Sequence, residues 1–498
     1  MNNPGFAPPI QKILERIVSA FPPGTPTYLV GGAVRDLLCS RPTHDLDFTV
    51  PGNAIRTGRQ LANTLDTAFY PLDSEHDAGR LILNDEVLGR FVIDVTGFRE
   101  ADLENDLRGR DFTINAIAID LRHPEKLIDP LGGARDLQSR VLRVCAPEAL
   151  VNDPIRILRA VRLSIAFGLR IPTETARLMR QALPGLGRVS PERLRDEVFR
   201  ILDGPMPASA IRILDILGAV PYVFPELPTL KDVTQAPPHT LDVWEHTLVT
   251  VQVLGKVLNV LKREYDPETA ANWALGLVSL QLGRFRRQLS DHLGLQLNPE
   301  RSLTSLVYLG ALFHDVSKPQ TAGADTDGGI HFYNHAGMGE EVSRKRGQAL
   351  RLSNPEIERL ASIVRYHMGP INLAQMGELP SRRAIYRFFR AAAAAGVEVC
   401  LLSLADTLAT YGPALPQETW IHQVEVVQKL LEAWWEQSEE TISPPVLLNG
   451  YDLMQQFNLK PSPQVGQLLE MVREAQAAGE LHDRPQAYAF VRAKLDQG

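Results

Sequence analysis

The sequence predicts an α+β protein: a small mixed sheet with helices near the start, then helices to the end. Three observations predict it. From about residue 27 to 145, short apolar runs alternate with segments of helical periodicity. From about 150 onward the strand signals fade. At 498 residues the chain is also too long for one ordinary core, so three or more domains are expected. The expected divisions are a sheet-bearing block over 1–148, a helical neck over 149–230, a larger helical block over 231–430 and a helical tail over 431–498.

The elements follow in order. Residues 11–20 place Ile13, Ile17 and Val18 on one side of a helix. Strands are expected at 28–30, 45–50, 80–83 and 90–95, and 111–120 is expected to begin helical and end as a strand. Residues 151–225 read as several arginine-rich helices. Residues 239–410 read as an all-helical block that holds most of the histidines. The Pro-rich stretch 443–447 opens the tail, and Ala391–Ala395 reads as a helix interior. No internal repeat or long low-complexity tract is visible.

A net charge of −7 gives no argument for nucleic-acid binding, which would need a local basic surface. Most of the positive charge is arginine, which suits forked recognition of phosphates and base edges. Cys39, Cys145 and Cys400 are few, odd in number and far apart. They suggest neither a disulfide framework nor a cysteine zinc site, so the reducing cytoplasm is the expected location. The first ten residues lack the pattern of a signal peptide. No run of some 18 apolar residues occurs, so no membrane span is expected. The oligomeric state is not legible.

Residues 29–48, LVGGAVRDLLCSRPTHDLDF, carry the densest chemistry. An apolar run meets the turn Gly31–Gly32, and a helical segment with Arg35 and Asp36 follows. Asp45 and Asp47 then sit at i and i+2 of a strand, on one face. Two carboxylates that close are costly without a cation, and hard oxygen ligands suit Mg²⁺ bound together with substrate phosphates. A glycine turn before a helix lets backbone N–H groups approach a phosphate.

GGAVRD followed by DLDF resembles the head of the class II tRNA nucleotidyltransferase and bacterial poly(A) polymerase family. LRGRDFTINAIA (107–118) matches the family's second motif, although Gly109 stands where a first arginine is usual. The resemblance implies a polymerase-β-like nucleotidyltransferase head in which Arg110 contacts triphosphate or ribose. Asp111 and Asn115 would organise the sugar. LIDPLGGARDL (127–137) matches the third motif, where Asp129 and Gly132–Gly133 make a turn that is either a hinge or only a loop. Asp94, in FVIDVTGFR, is expected at the end of a strand. It could be a general base toward a 3′-hydroxyl, a group that orients a ligand, or a solvent-facing strand aspartate.

In NDPIRILRAVRLSIAFGL (152–169), Asp153, Arg156, Arg159 and Arg162 recur every three residues, a stripe on one helix. Cytosine and adenine share an amino donor beside a ring-nitrogen acceptor, whereas uracil and guanine carry a carbonyl there. An aspartate acceptor beside an arginine donor complements the first pair and opposes the second. In the resembled family such a pair selects the base and the following arginines bind triphosphate. In VSPERLRDEVFRIL (189–202), Ser190 is an expected helix N-cap that braces the neck.

His246, His314–Asp315, His335, His367 and Asp406 share the larger helical block. Imidazoles with carboxylates suit a divalent transition metal. The pattern is similar to HD-domain phosphohydrolases. By that likeness His246, His314, Asp315 and Asp406 are metal ligands, His335 and His367 extend the site to a second ion, and Lys318 meets a phosphate. The domain is then either an active phosphodiesterase or phosphatase, or a degenerate scaffold. The tail 447–470 resembles that of the HD-containing relatives, with Ser462 in place of a glycine.

Together these features imply template-independent transfer of CMP or AMP from CTP or ATP to the 3′ end of tRNA, or of another RNA, with Mg²⁺ on Asp45 and Asp47. A poly(A) polymerase with the same head, or an HD phosphohydrolase whose head only senses nucleotides, are the alternatives. Whether C, CC, A or CCA is added is not legible.

Overall fold

The computed structural model describes residues 8–496 except 76, 86, 125, 265–266, 300 and 325–328. The chain forms two compact units, 1–189 with 216–222, and 190–215 with 223–498.

The first unit is built on a seven-stranded mixed sheet. Helix α1 (Pro8–Ala20) buries Ile13, Leu14 and Ile17. Strand β1 (Tyr28–Val30) runs into α2 (Gly32–Leu38), and β2 (Asp45–Val50) runs into α3 (Ala54–Leu65). Then come β3 (Phe69–Asp73), β4 (Ala78–Asp85), β5 (Gly89–Gly97), α4 (Leu103–Arg108), β6 (Ala118–Asp120), β7 (Leu127–Ile128) and α5 (Gly133–Gln138). The sheet order is β3-β4-β5-β2-β1-β6-β7, with β2 and β5 parallel and the other neighbours antiparallel. A parallel pair needs a long crossover, which α3, β3 and β4 supply. Leu29, Leu46, Phe48, Ile93 and Val95 alternate inward and pack with Leu61 and Leu65 of α3. The polar residues between them stand on the opposite face.

Several expectations are corrected here. Strands β3 and β7 were not anticipated: β3 is mostly exposed and β7 has two residues, so neither carries a strong apolar pattern. Residues 111–120 hold a 3₁₀ turn, Thr113–Asn115, rather than an α-helix before β6. Asp94 lies within β5, not at its end.

Beyond the sheet, α6 (Ala149–Asn152) and α7 (Arg156–Phe167) complete what the site of this unit needs. Asp153 has φ −140° and lies between them, so it precedes the arginine helix instead of sharing it. Pro154 follows, and a residue before proline is driven out of the helical region.

The second unit is mainly helical. Ser190 caps the helix Pro191–Leu202 by accepting from the N–H of Arg193 at 3.4 Å. The expectation of an all-helical block over 239–410 fails at one point, a hairpin of β8 (Ala322–Ala324) and β9 (Ile330–Phe332). Its strands are too short for a periodicity of their own. The tail forms a separate cluster of Leu448, Leu453, Leu468, Val472 and Val491. Arg382–Ala414 is long and apolar enough to pass as a membrane span, but 78% of its most apolar window is buried in the protein. Ala393, expected inside a helix, has φ 48° and interrupts it. An alanine at positive φ is strained, and the helix Arg382–Ala392 stops there.

Candidate functional site

In the first unit the sheet register assembles the head site. Val30, Asp47, Asp94 and Arg80 are successive cross-strand partners on β1, β2, β5 and β4. Asp45, two residues before Asp47 on β2, shares its face as the sequence predicted. Burial first, and the Asp94 carboxylate second, push Asp47 up to about 6, while Arg110 and Arg80 pull the other way. A partly buried group of like charges in that state is what a divalent cation would relieve, so the donor set fits such an ion. Asp94 is gripped by Arg80, whose Nε and Nη2 donate to its two carboxylate oxygens at 2.8 and 2.9 Å. Arg80 escaped the sequence reading because only the strand register puts it opposite Asp94.

Gly31 has φ 71°, a conformation other residues rarely adopt. A Cβ there would lie 2.9 Å from Arg110 Nη1 and 3.5 Å from Asp47 Oδ2. The glycine turn, the carboxylate and the arginine therefore meet at one point. Asp106 anchors Arg110, accepting from Nη2 at 3.4 Å.

A second network runs behind the turn. Asp111 is buried and accepts from the N–H of Phe112 at 2.8 Å, Asn115 Nδ2 at 3.0 Å and Arg159 Nη1 at 3.1 Å. Burial opposes its charge, but Arg159 and these hydrogen bonds outweigh burial and hold its carboxyl below the usual range. Asn115 in turn accepts from Arg35 Nη1 at 2.7 Å. Arg35 also donates to Asp36 and lies 4.3 Å from the Phe167 ring. Gly32 begins α2, with the Arg35 guanidinium beside it. Asp129 caps α5, accepting from the N–H groups of Gly133 and Ala134 at 2.7 and 2.9 Å.

Asp153 Oδ2 stands 3.6 Å from Arg156 Nε. Arg156 also donates from Nη1 to the carbonyl of Arg110 at 3.2 Å, which ties this pair to the Gly31–Asp47–Arg110 cluster. Arg162 lies six residues further along α7 and is partly buried.

The second unit holds a separate centre. His246 Nε2 lies 3.0 Å from Asp406 Oδ1 and 3.4 Å from His314 Nε2, and His314 Nε2 is 3.2 Å from Asp315 Oδ2. On the other oxygen of Asp315, His335 and His367 stand at 3.5 and 3.8 Å, with 3.4 Å between their Nε2 atoms. The structure thus forms two donor groups, His246–His314–Asp315 and Asp315–His335–His367, each with its atoms within 4.8 Å of one another. Asp315 belongs to both. His314, His335 and His367 each place Nδ1 on a carbonyl three residues upstream, at 2.7, 2.8 and 2.8 Å. A carbonyl only accepts, so Nδ1 carries the proton, and in the neutral imidazole Nε2 offers the lone pair that could ligate a metal. Burial pulls His367 down to about 4, which keeps it neutral. Lys318 Nζ forms an ion pair with Asp315 Oδ2 at 2.7 Å and donates to Gln235 Oε1 at 2.6 Å.

A cavity of about 650 Å³ opens on this centre. His239 also lines it and was missed in the sequence because it follows two prolines in a loop. The hairpin residues His331 and Tyr333 line it too.

Comparison with known proteins places these sites in context. Residues 27–143 match the poly A polymerase head domain, 168–230 match a probable RNA- and SrmB-binding site of polymerase A, and 279–411 match the HD domain. Asp153 to Arg162 fall between the first two matches, and His246 falls before the third. An A-adding tRNA nucleotidyltransferase of Deinococcus radiodurans is 32% identical over 478 residues, 95% of this chain and 96% of the relative. A CC-adding tRNA nucleotidyltransferase of Thermus thermophilus is 31% identical over 485 residues, 95% of this chain and 94% of the relative. Among solved structures, a CCA-adding enzyme in complex with CTP shares the fold. Its TM-score is 0.61 at 22% identity, over 98% of this chain and 96% of that one.

Proposed function

Because the chain belongs to the family of tRNA nucleotidyltransferases and bacterial poly(A) polymerases, we propose that it adds CMP, AMP or both to the 3′ end of tRNA without a template, from CTP or ATP. The observation that carries this reading is the meeting of Gly31, Asp47 and Arg110 at one point. In the reaction the RNA 3′-oxygen bonds to the α-phosphorus and gives up its proton. The bridging bond to the β-phosphate breaks, and pyrophosphate leaves.

Asp45 and Asp47 would hold Mg²⁺, which when bound offsets negative charge on the attacking and leaving oxygens. Arg110 takes a phosphate or ribose contact while Asp106 fixes its guanidinium. Asp111, Asn115 and Arg159 keep the sugar side rigid, and Arg35 is a brace for Asn115. Arg162 adds positive charge along α7. Asp153 accepts from the exocyclic amino group of C or A while Arg156 donates to the ring nitrogen, an arrangement that opposes U and G. The divisions at 148, 230 and 430 separate head, neck, HD domain and tail on this reading. Three cysteines without disulfides fit a cytoplasmic site of action.

Transcripts ending before CCA, after C and after CC, incubated with CTP and ATP singly and together, test the proposal. Extension by one to three nucleotides supports it and identifies the nucleotides added. Long A tails would make the chain a poly(A) polymerase, and no extension would overturn the reading.

A second activity is favoured by Asp315, whose two oxygens face two donor groups, with Lys318 beside it. This centre would take divalent transition metals and hydrolyse a phosphoester. Loss of bound metal and of hydrolysis of a 2′,3′-cyclic phosphate in a His314→Ala plus Asp315→Ala variant tests it. Wild-type protein with neither metal nor hydrolysis would mark the domain as scaffold.

A further inference from the structure

We propose that the β8–β9 hairpin is a nucleobase platform, with Tyr333 backed by His331 stacking the base of a nucleotide whose phosphoester reaches the His–Asp centre. The inference deepens the phosphohydrolase reading above and rests on it for the fate of the phosphate.

Two residues apart, His331 in β9 and Tyr333 in the turn that follows bring their rings together. Their rings are stacked, with centroids 4.0 Å apart and planes 26° apart. The stack is built into the hairpin. A Cβ on Gly323, the residue opposite His331, would lie 2.3 Å from the imidazole, so only glycine leaves room for that ring. Tyr333 is 70% exposed although it lines the cavity. One side of its ring rests on His331, and the ring remains largely open to a partner. Phe332 lines the same cavity, with Lys318 Nζ 5.4 Å from its ring centre, so the hairpin also reaches the lysine beside Asp315.

The chain then turns sharply. Asn334 has φ 62°, and His335 follows as the first residue of the helix His335–Ala349 and as a member of the second donor group. Two residues span at most about 7 Å, so the platform is tethered to the centre at nucleoside-like reach. A cavity of about 650 Å³ is within the usual range for a small-molecule site. Flat aromatic faces stack any base. A phosphate centre with such a face at its mouth selects nucleotides over phosphoesters that lack a base.

The test uses the full-length protein in three forms: wild type, Tyr333→Ala and Tyr333→Trp. Equilibrium dialysis measures AMP and ribose 5-phosphate binding. Steady-state assays with added Mn²⁺ follow hydrolysis of adenosine 2′,3′-cyclic phosphate, adenosine 2′-phosphate and glycerol 2-phosphate. The alanine variant should lose one class of AMP site while ribose 5-phosphate binding is unchanged. It should raise KM for the adenosine esters roughly tenfold, in line with the loss of one stacked base, with kcat nearly constant. Glycerol 2-phosphate kinetics should not move, and tryptophan should restore the wild-type pattern. Equal AMP binding by wild type and the alanine variant overturns the platform, as do losses shared by glycerol 2-phosphate and the adenosine esters. AMP binding that depends on Tyr333, with no hydrolysis of any ester, leaves the platform standing and removes the phosphohydrolase reading. Hydrolysis indifferent to Tyr333 does the reverse.

Discussion

Arg80 holds Asp94 with both arms of its guanidinium, at 2.8 and 2.9 Å, directly beside the strand that carries Asp47. The third carboxylate of the head is therefore committed to a forked ion pair. Arg80 also lowers the proton affinity of Asp47. Replacing Arg80 with alanine should reduce nucleotide incorporation and move the acidic limb of divalent-metal binding to higher pH. Lysine should restore little, since it cannot present a fork. Mn²⁺ titrations between pH 5.5 and 8, read by electron paramagnetic resonance, check this. An unmoved limb in the alanine variant would count against a role for Arg80 at the metal side.

Asp47 is raised from 3.8 to about 6 in the folded protein. The folded state then binds the proton more tightly than the unfolded chain. Metal-free stability should fall as pH rises from about 4 to 6, and the whole cost persists above that. Asp47→Asn removes the charge and should stabilise the metal-free protein at pH 7.5 by on the order of 1–3 kcal/mol. At pH 3.5 it should give no gain. Thermal unfolding in chelator at the two pH values reads the difference, and equal gains at both would contradict it. The same variant should lose at least roughly a hundredfold in incorporation, the usual effect of removing one electrostatic stabiliser.

Asp111 behaves oppositely because its carboxyl is held below the usual range. Its pairing stabilises the fold above the ordinary carboxylate range, and that contribution fades as pH falls. Asp111→Asn should lower the melting temperature most at pH 7 and progressively less as the pH falls below the ordinary carboxylate range. It removes the Asp111 carboxylate from Arg159, at a cost of about 1–3 kcal/mol after allowing for the partial exposure of that arginine. KM for the nucleoside triphosphate should rise in parallel. A variant destabilised equally at pH 7 and at low pH would show that shape, not charge, matters there.

Asp153→Ala should relax base choice. A two-point contact is worth about 1–3 kcal/mol of discrimination, so misincorporation of UMP and GMP should rise by roughly ten- to a hundredfold relative to CMP and AMP. Single-turnover assays with each triphosphate measure it. Unchanged ratios with all four would remove the base-reading role from the Asp153–Arg156 pair.

Much of both sites was legible because it depends on spacing along one element. Asp45 and Asp47 had to share a face, Gly31 had to turn, and Ser190 had to cap. The histidines and aspartates of the second centre were identified by residue type, and each Nδ1 seen to be anchored bonds a carbonyl only three residues upstream. What stayed hidden lies between elements or in weakly patterned ones. Arg80 is 14 residues from Asp94, and Arg159 is 48 from Asp111. Short-period patterns do not report on pairs so far apart. Asp153 was misplaced onto a helix because its spacing to Arg156 is the same whether or not the helix has begun.

By itself the sequence determined which strand face carries the carboxylates, which residue types gather around the histidines and which side chains lie one helical turn apart. Backbone geometry sets all three within a few residues. Only the tertiary structure decided that Asp94 is held by Arg80, that Asp111 answers Arg159, that Asp315 serves two donor groups and that a short hairpin brings Tyr333 to the cavity. Each of those depends on strand register and packing between distant segments, where long-range burial, not local period, selects the partner.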